Sequence, residues 1–251
     1  MRGSTSSLIS HNRLLACLPK NDHRRLASDL ELVSLKARHV AYEPGKAIDH
    51  VYFPLNSVIS IAVGTDRGRE VEVAAIGNEG MVGLPVFLGR NNTPPGRAYT
   101  VVPGDSFRIS AEAFWEHARQ SDPTAKIMRL YAHALIAQIM QRVACNRRHS
   151  AMKRCARCLL TTHDQVRKER FPLTQEILGY MLGIRRTGVS TVASALKQRR
   201  IINYNRGVVE ILNVQELESA SCECYIAVKQ QFDRLFKVVS ATPVIALGAS
   251  P

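Results

Sequence analysis

Between residues 173 and 212, two helical patterns are separated by one glycine and followed by a short hairpin. Few folds accept that order. Ile177, Leu178, Met181 and Leu182 share one apolar face, which predicts a helix from about residue 174 to 182. Thr174 stands where an N-cap is needed, and Gly183 where the chain must turn left-handed. A second helix opens with Arg185, Arg186 and Thr187 and would bury Val189, Val192, Ala193 and Leu196. Its first turn therefore offers cations and hydroxyls to solvent while its later turns hold it to a domain. A helix presented in this way, braced by its predecessor across a tight turn, is the geometry of a helix-turn-helix DNA reader. Apolar runs at 201–204 and 208–211 flank Asn205, Arg206 and Gly207, which reads as a hairpin with Arg206 at its tip. Beside a helix-turn-helix such a hairpin is a wing.

The charge distribution agrees. The 251-residue chain carries a net charge of +13. Residues 1–121 hold 14 Lys and Arg against 12 Asp and Glu, whereas residues 122–251 hold 20 against 9. The excess lies in the half that carries the two-helix motif, as expected of a phosphate-backbone binder.

The N-terminal half has a different texture. Residues 12–30 suggest short helices. From about 31 to 109, short apolar runs (51–53, 58–63, 70–74, 99–102 and 106–109) alternate with turn signals such as Pro44-Gly45, Pro94-Pro95-Gly96 and Pro103-Gly104. That spacing predicts an antiparallel sandwich or jelly roll. A helix follows at 110–120, with Phe114 and Trp115 packed on the roll.

After Ser121-Asp122-Pro123, with Pro123 at the first helical position, an apolar pattern runs to about residue 147. Ile127, Leu130, Tyr131, Ala134, Leu135, Ala137, Ile139, Met140 and Val143 cover more than one face. One stripe can bury against the roll. The other needs a partner, most simply the same helix of a second subunit.

With these segments in place, the chain from about residue 12 to 236 resembles the Crp/Fnr family of bacterial transcription regulators. The resemblance is carried by Tyr42-Glu43-Pro44-Gly45, His50-Val51-Tyr52-Phe53-Pro54-Leu55, Gly80-Met81-Val82-Gly83-Leu84 and, most specifically, residues 173–212. It implies an α+β chain: a cyclic-nucleotide-binding-like antiparallel jelly roll (12–121), a long dimerisation helix (122–148) and a winged helix-turn-helix (149–236), then a disordered tail (237–251). It also implies a homodimer on double-stranded DNA, a small-molecule effector of unknown identity in the roll, and contact with RNA polymerase if the protein activates.

By the same resemblance Arg185, Arg186, Thr187, Ser190 and Thr191 are the base readers, with Arg186 where the family commonly places a guanine-reading arginine. Thr174, Lys197, Arg199, Arg200 and Arg206 are the phosphate contacts. Members that bind cyclic AMP hold its phosphate with a Gly-Glu pair and a downstream arginine. Here Gly83 is followed by Leu84 and Pro85, and Arg97-Ala98 keeps the arginine position. Gly83, Leu84, Arg97 and Ala98 thus outline an effector pocket that lacks the ribose acceptor, so ordinary cyclic AMP sensing is not expected.

Iron–sulfur members carry an N-terminal cysteine cluster, and this chain has only Cys17 there, which excludes such a centre. No cofactor and no metal-ligand set is assigned. Cys222-Glu223-Cys224 has the wrong spacing for a zinc knuckle. Metal or redox sensing through Cys145, Cys155 and Cys158 is one alternative. A ligand-binding scaffold whose helix-turn-helix no longer reads DNA is another. No Walker loop, Gly-x-Ser-x-Gly or His-Glu-x-x-His motif is present, so no enzyme is expected. The first seven residues lack a signal peptide's apolar stretch and no run approaches 18 apolar residues, which points to a cytoplasmic protein.

Overall fold

A computed structural model describes residues 7–65, 69–89 and 93–241. Two short helices, α1 (Arg13–Ala16) and α2 (Lys20–Leu26), lead into the strands β1 (Glu31–Leu35), β2 (Val40–Tyr42), β3 (His50–Pro54), β4 (Val58–Thr65) and β5 (Arg69–Ile76). Helix α3 (Leu84–Leu88) interrupts them before β6 (Arg97–Val102) and β7 (Gly104–Ser110). They form two antiparallel sheets, ordered β1-β7-β3 and β2-β6-β4-β5, which is the expected roll. Phe53, Phe107, Ile59, Ile76 and Met81 fill it. Helix α4 (Ala111–Arg119) closes one end, its Phe114 ring meeting Phe53 edge-on at 6.0 Å. β1 and β2 were not expected. Both are edge strands in which a single residue, Leu35 or Tyr42, is buried, so their sequences carry little apolar alternation.

Helix α5 (Asp122–Arg148) has 27 residues and spans roughly 40 Å at 1.5 Å per residue. Ser121 caps it, accepting from the Thr124 amide at 3.3 Å, and Pro123 stands one residue beyond the first helical position. Ile127, Tyr131, Ala134 and Leu135 bury against the roll. The Tyr131 hydroxyl donates to the Met81 carbonyl (2.8 Å) and accepts from its amide (3.1 Å), locking α5 to the β5–α3 loop. The opposite stripe stays in solvent: Ile136, Met140 and Val143 are 56%, 68% and 67% exposed.

The C-terminal part opens with α6 (Ala151–Val166), which carries Cys155 and Cys158, and with β8 (Arg170–Pro172), a strand that was not expected. The expected pair follows as α7 (Gln175–Leu182) and α8 (Arg186–Gln198), then the hairpin β9 (Ile202–Asn205) and β10 (Val208–Ile211) and helix α9 (Val214–Ser219). β8 adds a third strand to the wing through β10. Val189, Val192 and Leu196 join Phe171, Ile177, Leu178, Leu159 and Leu160 in one core, with Ala193 also buried.

The last described helix, α10 (Cys224–Ala241), differs from expectation. Its Tyr225 stays in the winged unit's core and donates to Asp164 of α6 at 2.7 Å, but the helix then packs back along α5, where Phe232 and Leu235 enter the roll's core. The Phe232 and Tyr131 ring centroids lie 6.4 Å apart, and Arg13 donates to Asp233 at 2.9 Å. Of the expected tail, residues 237–241 are helical and the remainder lies outside the described residues.

Candidate nucleic-acid interface

The two-helix head is built by local rules. Thr174 caps α7 by accepting from the Ile177 amide at 3.2 Å. Gly183 ends that helix at φ +63°, a left-handed conformation that glycine adopts without steric cost. Arg185 is the N-cap residue of α8, in extended backbone, and its side chain makes no cap bond. Arg185, Arg186, Thr187 and Thr191 are exposed and Ser190 is half-buried. All five lie on the first turns of α8, where unpaired amides and the helix dipole also favour an anion.

Gln175, which sequence reasoning did not single out, organises this surface. Its Oε1 accepts from the Ser190 hydroxyl at 3.0 Å and from Arg186 Nε at 3.5 Å. One side chain on α7 thus orients two proposed readers on α8. Its position directly after the N-cap was the available signal.

The candidate phosphate contacts divide into two groups. Thr174 and Arg206 come together beside the proposed readers. Arg206 (φ +48°) and Gly207 (φ +75°) form the hairpin turn, both left-handed as a type I′ turn requires. The turn is tied back to the head, with the Leu173 amide donating to the Gly207 carbonyl at 2.8 Å and the Tyr204 hydroxyl to the Leu173 carbonyl at 2.7 Å. Lys197, Arg199 and Arg200 are also exposed but sit at the far end of α8, about 16 Å along the axis from Arg186. Arg199 pairs with Glu216 at 3.4 Å. Both partners are exposed, so the pair contributes little and a phosphate can displace it.

The four residues proposed for an effector pocket are placed as follows. Gly83 (φ +112°) precedes α3 and lies against Val51, while Leu84 and Ala98 are buried. Arg97 donates to Glu43 at 2.9 Å and pairs with Glu70 at 3.3 Å, so two carboxylates already compensate its charge. Two cavities lie elsewhere, between α5, α6 and α10, and none of the four lines either.

The cysteines regroup. Cys155 and Cys158 are buried in the apolar core of the winged unit, where burial raises both thiol pKa values, that of Cys158 to about 11. Cys145 is not with them. It lies beside Cys222, Cys224 and His149.

Residues 153–220 match the family model of the Crp-like helix-turn-helix domain. Solved structures share the fold over about three quarters of the chain. FixK2 from Bradyrhizobium japonicum is 16% identical with a TM-score of 0.64, over 77% of this chain and 98% of that one. TTHB099, a CRP-family transcriptional regulator from Thermus thermophilus, is 14% identical with a TM-score of 0.62, over 76% and 96%. TTHA1359, a CRP/FNR-family regulator from the same organism, is 18% identical with a TM-score of 0.57, over 76% and 98%. No curated protein sequence matches the chain. No helix among the described residues is long and apolar enough to cross a membrane. Residues 153–220 are thus similar to the Crp-like helix-turn-helix domain, and the chain shares its fold with solved structures of Crp/Fnr-family regulators.

Proposed function

We propose that the protein is a homodimeric, sequence-specific DNA-binding regulator that acts in the cytoplasm. The observation that carries this reading is the two-sidedness of α8. Val189, Val192, Ala193 and Leu196 are buried, while Arg185, Arg186, Thr187 and Thr191 face solvent. Among the described residues neither arginine has a carboxylate partner. Uncompensated guanidinium groups on the first turn of a groove-sized helix suit bidentate recognition of guanine. Arg185, Arg186, Thr187, Ser190 and Thr191 read bases. Thr174 and Arg206 hold the flanking phosphates, and Lys197, Arg199 and Arg200 extend the positive field along the backbone.

The exposed stripe of α5 supports the dimer. His133, Ile136, Met140 and Val143 follow the alternating three- and four-residue steps of a two-stranded coiled coil. Two-fold pairing places the heads on half-sites about 34–36 Å apart, or a multiple of that, so the operator is near-palindromic. The roll receives an effector other than cyclic AMP bound in the usual way, since Arg97 is engaged by Glu43 and Glu70 and no glutamate follows Gly83. In an activator, RNA polymerase is the further partner. Selection of random duplexes by the full chain tests this reading. A near-palindromic consensus is the expected result; absence of any sequence preference at moderate salt overturns it.

A further inference from the structure

One cluster has no part in reading DNA. Cys145 lies in the last turn of α5, and His149 is that helix's C-cap residue, whose amide donates to the Cys145 carbonyl at 3.0 Å. Cys224 begins α10, with Cys222 two residues earlier. The Cys145 and Cys222 sulfurs are 3.5 Å apart, and the Cys224 sulfur is 3.6 Å from His149 Nδ1. All four donor atoms lie within 4.8 Å of one another. A tetrahedral zinc ion, with bonds of about 2.3 Å to sulfur and about 2.0–2.1 Å to nitrogen, holds its donors roughly 3.5–3.8 Å apart. The two measured separations already fall at that spacing.

The surroundings are those of a metal centre rather than of packed thiols. The three cysteines are 0%, 3% and 1% exposed and form a cluster apart from both apolar cores. His149 Nε2 meets the Glu223 carboxylate at 3.0 Å, leaving Nδ1 turned to the sulfurs, which is how a second-layer carboxylate fixes a metal-binding imidazole. Gln141 donates to the Cys224 sulfur at 3.0 Å. Arg157, buried nearby on α6, has no carboxylate partner among the described residues, and its Nε has no hydrogen-bond partner. A buried guanidinium requires a counter-charge. Three thiolates around a divalent cation supply one net negative charge.

We propose that Cys145, His149, Cys222 and Cys224 form a closed Cys3His site for a thiophilic divalent cation, zinc by its tetrahedral geometry. Four protein donors leave no open position, so the ion is structural. Loading displaces to solvent the protons that the thiols still hold and joins the end of α5 to the start of α10. If the head reads DNA as proposed above, the ion also sets how the head is carried.

Cobalt(II) titration of the reduced, metal-stripped full chain is the direct test and needs no DNA, so it stands or falls separately from the DNA-binding reading. One equivalent giving thiolate-to-cobalt charge transfer and intense tetrahedral bands, displaced by zinc, is expected. Glu223→Gln should weaken binding about 10–100-fold. Cys145→Ser should abolish the three-sulfur spectrum, whereas Cys158→Ala should keep it. A folded wild-type chain, judged by circular dichroism, that gives no tetrahedral spectrum overturns the site without recourse to variants. So does a Cys145–Cys222 disulfide that resists reduction and accounts for the proximity.

Discussion

Arg142 and Glu72 form a buried ion pair between α5 and β5, their side chains 7% and 1% exposed. The same guanidinium donates to the Met181 carbonyl of α7 at 2.8 Å, and Glu72 accepts from Ser60 at 2.7 Å. One arginine thus joins the roll, the long helix and the reading head. Removing one partner of such a pair leaves an uncompensated buried charge, at a cost of about 3–5 kcal/mol. Glu72→Ala should lower the unfolding midpoint accordingly, and a Glu72→Leu/Arg142→Leu double variant should recover much of the loss. Urea titration checks both. A Glu72→Ala protein as stable as the parent would show that the pair does not bear on folding.

Arg186 and Arg206 should separate specificity from affinity. Arg186→Ala is expected to cost about 1–3 kcal/mol at one base pair per half-site, with other positions unchanged. Arg206→Ala should weaken binding to all sequences alike and reduce the slope of log affinity against log salt by about 1 for each arginine lost. Fluorescence anisotropy over a set of single-substitution operators, repeated at several salt concentrations, distinguishes the two.

Gln175 touches Arg186 and Ser190 from the neighbouring helix. Its loss should therefore reproduce part of the Arg186 defect together with an effect through Ser190. Gln175→Ala is expected to relax the same base pair. The double variant with Arg186→Ala should lose less than the sum of the two single losses, the excess over Arg186→Ala reporting the Ser190 contact. Stability should change by no more than about 0.5 kcal/mol, as is usual away from the core. Additive losses in a double-mutant cycle would refute the positioning role.

Val143→Asp places a carboxylate in the exposed stripe of α5. In a coiled-coil seam it would face its own copy across the two-fold axis, where like charges repel and cannot be solvated. Sedimentation should show monomer where the parent is a dimer, with unchanged circular dichroism and DNA affinity falling towards that of a single half-site. A variant that still sediments as a dimer would place the subunit contact elsewhere.

The reading head was legible in the sequence because its determinants are local. Thr174, Gly183 and the four apolar positions of α8 lie within 23 residues and act through capping, handedness and periodicity. The roll was legible where strands bury a face and illegible at β1 and β2, whose edge positions demand little of their side chains. The Cys-His group stayed hidden for another reason. Cys145 and Cys222 are 77 residues apart, and rules based on ligand spacing link neighbours in the chain. Only the return of α10 onto α5, driven by burial of Phe232 and Leu235, brings them together. Arg97 teaches the same lesson: its motif position suggests a free cation, while Glu43 and Glu70 approach from other strands.

The path of α10 has a mechanical corollary. Because its start lies against the end of α5, the polypeptide enters the winged unit and leaves it at nearly one point. The unit is also pinned away from that point, by Arg142 at Met181 and by Arg38 at Glu176, so it follows the stalk and the roll with little freedom of its own. Rotation of the stalk would then arrive at the DNA-facing surface as a change of angle, with little lost to slack in a linker.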